Sequence, residues 1–497
     1  MSVGSGVATL KCTENYPLKL IIHSMKHSIM HRIGGLALMA FVVTTTLTAD
    51  TTHARQPNGT ALDRYVYQDD PHYAWRIVQS IPTEEATIHM LEMTSQQWLT
   101  EMEVDRPIWK HWLNITVPKK VMSDTALLFI GGGSNKDAQP GEPDKRLAQA
   151  AVGVGTVVAE LKMIPNQPLV FPDDGQELYE DAMIAYTWDK YLKTGDEKWP
   201  ARLPMTKAAV RAMDSITAMC ASEEGGQISV RQFVVAGGSK RGWTTWTTAA
   251  VDKRVRGIFP IVIDMLNVVP SFKHHFAAYG FYAPAVGDYV SKGIMKWQDT
   301  EAYQNLMKIV EPFEYRDRLT MPKYVINATG DQFFLPDSWR FYWSELQGPK
   351  HLRYVPNGEH SLSETDAYET LVAGYACMVH DLPLPQLEWE SPSPGLVKVK
   401  VRGMKPAEVH VWSADNPKAR DFRVDTIGRS WKSNPLQAVD NGGMVYQARI
   451  EAPQKGYRAF LVEMTFHQKP MPAPMKMTTG VYVIPDVLPH AEKAGNL

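Results

Sequence analysis

The chain has 497 residues, which at about one domain per 150 residues suggests two or three structural units. Apolar residues make up 44% and charged residues 21%, the balance of a soluble globular protein. With 52 Lys+Arg against 54 Asp+Glu, the net charge of −2 gives no basic footprint for nucleic acid or an anionic membrane. Three cysteines, Cys12, Cys220 and Cys377, with no CxxC pair, exclude a disulfide framework and a zinc cluster.

The N-terminus carries a targeting signal. From Met25 the chain reads MKHSIMHRIGGLALMAFVVTTTLTADTTHA. Lys26 and Arg32 supply a positive start, Ile33 to Val43 an apolar stretch, and small residues follow. The pattern predicts export, with cleavage near Ala49 or Ala54, and no stable membrane insertion afterwards. The alternative is an uncleaved anchor, although the apolar run is short for a span. Residues 1–24 lack this logic and read as an upstream extension. Cleavage removes Cys12. A Cys220–Cys377 disulfide is then permitted in an exported protein but not implied.

Residues 55–80 are polar and turn-rich. ATIHMLEMT (86–94) and WKHWLNITV (109–117) alternate as strands do. ALLFIGG (126–132) and GTVVAEL (155–161) are continuous apolar runs, expected of strands buried on both faces of a parallel sheet. Helical spacing runs through 176–196, ending at Gly195, and again through 203–221. The strand QFVVA (232–236), a helix from Lys240 and the strand GIFPIVI (257–263) follow. Residues 265–320 form an aromatic-rich insertion, predicted to be a helical cap. The alternation resumes with KYVINAT (323–329), a helix near 337–346, HLRYVP (351–356) and a helix from Ser363 to His380. Alternating β and α elements predict a mostly parallel, doubly wound sheet. The hydrolase-like unit then spans 55–385. From 386 to 497, short alternating segments, including FRVDTIG (422–428), predict a C-terminal β-sandwich and a surface for a partner.

The chemistry concentrates at RQFVVAGGSKRGW (231–243). A strand runs into Gly237-Gly238-Ser239 and a helix follows, the setting of a nucleophile elbow. The elbow needs small residues two positions either side of the serine. Gly237 fills the first slot. Arg241 stands in the second, with Gly242 one place later, so the pattern is G-x-S-x-x-G. Ser239 is therefore either a nucleophile or a polar turn residue. Downstream, a buried strand ends in Gly330-Asp331 and another in Gly358-Glu359-His360. Serine, acid, histidine is the chain order of a serine hydrolase on such a sheet. The alternatives are a helix N-cap for Asp331 and a loop histidine for His360. Asp264, after the strand that follows the elbow helix, is the rival acid.

An oxyanion hole would take the amide of Lys240 and one from Gly131–Gly133, with Gly132 and Gly133 the candidates. A phosphate loop fails there because no GK[ST] follows. The Lys240 and Arg241 side chains either add positive charge near the oxyanion or are solvated. The aromatic insertion either lines a substrate pocket or packs without touching substrate. His274-His275 lacks a third ligand at helical spacing, so no metal is expected. No cofactor is implied. The expected partner is a small-molecule or peptide substrate.

EDAMIAYTWDKYL (180–192), GGSKRGWTTW (237–246), YRDRLTMPKYVINATGDQFFLPDS (315–338) and YVPNGEHSL (354–362) resemble the PhoPQ-activated pathogenicity-related protein family. The resemblance implies an α/β-hydrolase fold and puts the family's serine, aspartate and histidine on Ser239, Asp331 and His360. Its name implies a link to virulence rather than a reaction. The G-x-S-x-x-G shape is also similar to that of glucuronoyl esterases. Members with a secreted growth-repressing role leave a non-catalytic signalling function open.

N-terminal sequencing of the exported protein should read a first residue between Asp50 and Arg55. A chain that begins at Met1 or Met25 would refute export by cleavage.

Overall fold

A computed structural model describes residues 59–139, 144–467 and 471–494. The upstream extension and the signal segment lie outside these residues. The central sheet has nine strands: β1 Ala74–Pro82, β2 Ala86–Gln97, β3 Ile108–Pro118, β4 Thr125–Ile130, β5 Val158–Leu161, β6 Gln232–Gly238, β7 Val255–Ile261, β8 Lys323–Ala328 and β9 Lys350–Val355. Their order is β1-β2-β3-β5-β4-β6-β7-β8-β9. β1 to β3 pair antiparallel, as does β3 with β5. From β5 to β9 every pairing is parallel. This is the mostly parallel sheet that the apolar runs predict.

Both faces of the parallel strands are buried, which is why those strands show no polar alternation. Leu128, Ile130, Phe233, Val235 and Ile258 point to one side, against the helices Arg202–Ala221 and Lys240–Val251. Leu127, Val234, Ala236, Phe259 and Ile326 point to the other, against Lys145–Val154 and Ala367–Val379. The insertion after β7 is helical, built mainly from Val268–Tyr279 and Glu301–Val310.

Several boundaries differ from the sequence reading, each for a local reason. Residues 55–80 hold a helix, Ala61–Tyr67, and the edge strand β1, whose half-exposed pattern hides it. Gly155 does not start a strand. It ends the helix Lys145–Val154, which the sequence reading lacks, in a left-handed turn at φ 72°. The helix expected near 337–346 is replaced by two short 3₁₀ turns. Its aromatics are drawn apart: the Trp339 indole donates to Val481 O, the Tyr342 hydroxyl to Asp264, and Trp343 stacks on Trp389.

The C-terminal unit has a three-stranded sheet, Gln386–Ser393, Leu396–Arg402 and Val445–Arg449, and a second sheet centred on Glu408–Asn416 and Tyr457–Phe466. Val397, Val399 and Val401 of one sheet and Phe460, Val462 and Met464 of the other share one apolar cluster. FRVDTIG is not a strand. Val424–Ile427 is a helical turn, and the Val424 amide donates to Gly330 O beside Asp331.

The two units are joined by buried polar contacts. Arg420 enters the hydrolase unit and pairs with Asp337 at 2.7 Å, both essentially inaccessible. His274, on the insertion, lies 3.1 Å from the same carboxylate. Burial alone would raise the Asp337 carboxyl, but Arg420, His274 and Arg340 hold it well below its ordinary value. Asn357 and Trp431 exchange two hydrogen bonds, of 3.0 and 2.9 Å. Cys220 and Cys377 are free and buried, so they do not pair. No described helix is long and apolar enough to cross a membrane.

Truncating Arg420 to Ala should cost about 3–5 kcal/mol in urea unfolding, because it strands a buried carboxylate. Arg458→Ala, which breaks the more exposed pair with Asp415, should cost under about 1 kcal/mol. Equal costs would overturn this ranking.

Candidate active site

The site is built where β6 ends. Ser239 is the first residue after β6 and sits at φ 56°, ψ −124°, outside the regions an L-residue ordinarily occupies. Its amide donates to Ile261 O at 2.8 Å, and its carbonyl accepts from Trp243 N at 3.0 Å. The turn is held closed by two glycines. A Cβ on Gly237 would stand 2.7 Å from Arg241 O, and one on Gly242 would stand 2.9 Å from Ile261 O. Gly242 thus takes the close contact expected two places after the serine. The Arg241 side chain turns outward to Ile164 O and Glu180.

The structure brings Ser239, His360 and Asp331 together from three loops. Ser239 Oγ lies 2.9 Å from His360 Nε2, and His360 Nδ1 lies 2.8 Å from Asp331 Oδ2. Asp331 Oδ1 accepts from the amides of Phe333 (2.7 Å) and Phe334 (3.3 Å). The His360 amide donates to Gln332 Oε1 at 3.0 Å, which ties the histidine loop to the acid loop. The Phe333 ring packs on the imidazole, with centroids 4.2 Å apart. The arrangement can take a proton from a hydroxyl and hold the resulting imidazolium.

Asp264, the rival acid, makes no bond to His360. It is fully buried, and the hydroxyls of Tyr342 and Tyr354 donate to it. Burial pushes its carboxyl up to about 8, against the pull of those hydroxyls.

The glycine loop leaves β4 beside the elbow, since Ile130 pairs with Gly237. Gly131 is engaged, its amide donating to Leu161 O at 2.7 Å. The amides of Gly132 and Gly133 find no acceptor among the described residues. A Cβ on Gly132 would stand 2.8 Å from the Arg241 guanidinium, so glycine there makes room for Arg241. Lys240 is the first residue of its helix, where amides lack intrahelical acceptors. Its ammonium is not solvated: it bridges Glu180 at 2.7 Å and Asp181 at 3.0 Å. Lys240 and Arg241, with burial opposing, hold Glu180 well below its ordinary value.

A cleft opens at Ser239. Its walls are mostly apolar, with Trp188 and Trp243 from the sheet-covering helices and Phe272, Met295 and Tyr303 from the insertion. Part of the insertion therefore faces the cleft. His274 and His275 are otherwise occupied. His274 faces Asp337, and His275 Nε2 accepts from Ala283 N at 2.9 Å. Burial pushes the His275 imidazole down to about 3. Among the described residues no cluster of three or more His, Cys, Asp or Glu could hold a metal.

Sequence reasoning missed Arg202, which lines the cleft, and Gln332, which braces His360. Arg202 opens the helix Arg202–Ala221, and in the sequence it reads as an ordinary surface cation.

Residues 62–423 match the PhoPQ-activated pathogenicity-related protein family. The chain belongs to that family. It is 38% identical over 457 residues to Autocrine proliferation repressor protein A of Dictyostelium discoideum, covering 86% of this chain and 91% of that one. Among solved structures it is similar to an acetyl xylan esterase from Paenibacillus sp. R4, with 15% identity, a TM-score of 0.45 and coverage of 63% of this chain and 91% of that one. A glucuronoyl esterase from Solibacter usitatus gives 16% identity, a TM-score of 0.40 and coverage of 66% and 92%.

Gly242→Ala should destabilise the fold by roughly 1–3 kcal/mol, the cost of forcing a methyl into a filled space. Gly175→Ser, at a glycine with open space around it but φ 72°, should cost only about 1 kcal/mol. Urea unfolding of both variants checks this, and a Gly242→Ala protein as stable as wild type would refute the close contact.

Proposed function

We propose that this protein is an exported serine hydrolase that cleaves an ester or amide through an acyl-enzyme on Ser239. The observation that carries the reading is the unbroken hydrogen-bond chain from Ser239 through His360 to Asp331, at 2.9 and 2.8 Å, starting from a strained turn. In the mechanism, Ser239 Oγ attacks the substrate carbonyl carbon and His360 Nε2 takes its proton. Asp331 holds the Nδ1–H tautomer and balances the imidazolium. The oxyanion that forms is met by the amide of Lys240 and by Gly132 or Gly133. His360 then gives its proton to the departing alcohol or amine. Water, activated by the same imidazole, releases the acid and restores Ser239.

Export to the periplasm or the exterior fits the signal pattern before residue 55. A role in virulence fits the family's name. A second reading is favoured by one observation, the 38% identity to Autocrine proliferation repressor protein A over 91% of its length. In that reading the chain is a secreted signalling protein on a hydrolase scaffold. The two separate cleanly, because a signalling role would survive Ser239→Ala.

A fluorophosphonate probe should label wild type and leave Ser239→Ala unlabelled. Asp331→Asn should lower kcat by roughly 10⁴, as loss of the correct histidine tautomer does in serine proteases. Asp264→Asn should lower kcat far less, since Asp264 does not touch the imidazole. An unlabelled wild type would overturn the hydrolase reading, and a reversed order of the two Asp variants would overturn the assignment of the acid.

A further inference from the structure

We infer that the cleft beside Ser239 takes substrates bearing a free carboxylate, and that Arg202 receives it. The inference deepens the hydrolase reading of the same cleft and rests on it.

Three cations stand at this end of the cleft, and they are not equally paired. Lys240 has two carboxylates, Glu180 and Asp181. Arg241 has Glu180. Arg202 makes no ion pair with any described residue, although its side chain lines the cleft and the residue is only 3% exposed. Its close contacts are to neutral groups, and Asp181, which also lines the cleft, acts on it from beyond ion-pair distance. One terminal nitrogen donates to Lys240 O at 3.0 Å, and the guanidinium lies 4.4 Å from the Trp243 ring centroid. The Tyr289 hydroxyl stands close to it and gives its own proton to Asp181 at 3.0 Å. Nε is buried without any partner. Asp288, the remaining carboxylate nearby, is raised by burial and by Asp181, and it is Lys240 that lowers it.

A desolvated guanidinium with an unused N–H is costly unless an anion answers it. An arginine keeps its proton even when buried, so the site cannot relieve the charge by titrating. A carboxylate answers this charge: it brings one negative charge and acceptor oxygens for the unused Nε–H. A phosphate dianion fits less well, because Lys240 and Arg241 are already compensated. Position supports the same assignment. Arg202 is bonded to the carbonyl of the residue that follows Ser239, so its ligand and the reacting carbonyl would belong to one small molecule. The apolar walls around Trp188 and Trp243 would hold the carbon chain between them.

The test compares p-nitrophenyl acetate with mono-p-nitrophenyl succinate and mono-p-nitrophenyl glutarate on the full chain. Wild type should show kcat/KM roughly tenfold or more higher for the acidic esters, the size of one charge-assisted hydrogen-bonded pair. Arg202→Gln should bring the ratio close to one, and Arg202→Lys should keep part of it. A wild-type ratio near one, or a ratio that Arg202→Gln leaves unchanged, overturns the inference and leaves the hydrolase reading intact. Should Arg202→Gln fail to fold, the wild-type ratio and Arg202→Lys decide. Binding is read separately by tryptophan fluorescence of Ser239→Ala with glutarate and with dimethyl glutarate. Glutarate should bind at least tenfold more tightly. Such binding without hydrolysis of any ester would sink the hydrolase reading and keep the anion site. Equal or absent binding of both would overturn the anion site.

Discussion

The structure turns on one close approach, that of β6 to the helix Lys240–Val251 at Ser239. The serine backbone is held in a conformation that costs of order 1–3 kcal/mol and persists only where its surroundings over-determine it. Here they do. The Ser239 amide is bonded to Ile261 on the next strand, its carbonyl starts the helix, and Gly237 and Gly242 leave no room for a wider turn. That turn lifts Oγ off the end of the sheet. The loops after β8 and β9, two and three strands along the sheet from β6, then reach it with Asp331 and His360.

Those loops do not hold themselves. The acid loop is braced by the C-terminal unit, through Val424 to Gly330, and the histidine loop through Asn357 to Trp431. Arg420 adds a buried charge that fixes Asp337, six residues after Asp331, and through it His274 on the insertion. The C-terminal sheets are therefore part of the scaffold of the site. Nothing in their alternating pattern announces this, because the bracing segment is a helical turn and a loop rather than the strands.

What was legible in the sequence follows from which forces act locally. The parallel strands are buried on both faces, so β4 and β6 stand out as continuous apolar runs, while β8 and β9 also bury polar residues such as Asn327, His351 and Arg353. Ser239, Asp331 and His360 were legible because each follows such a strand. Elements fixed by distant contacts were not. The 337–346 segment has helical composition, yet Trp339, Tyr342 and Trp343 each answer to a different partner. Lys145–Val154 has too many small and polar residues to stand out, and its C-cap Gly155 was read as the start of a strand. Arg202 was invisible for a related reason. Its significance lies in the carboxylate it lacks, and only the pairing of Lys240 and Arg241 with Glu180 and Asp181 reveals that.

Two buried carboxyls near the site show how environment sorts residues of one type. Asp264 sits in a closed pocket where the donors are two tyrosine hydroxyls, and burial pushes it up to about 8. The two hydroxyls pull the other way, each donating to one of its oxygens. Asp331 faces backbone amides on one oxygen and an imidazole on the other, contacts that suit a carboxylate. The Asp331 charge adds to burial in raising Asp264, because the two acids are near enough to repel. The rival acid thus stays outside the proposed mechanism: its oxygens are taken by two tyrosines, and the carboxylate that meets His360 is that of Asp331.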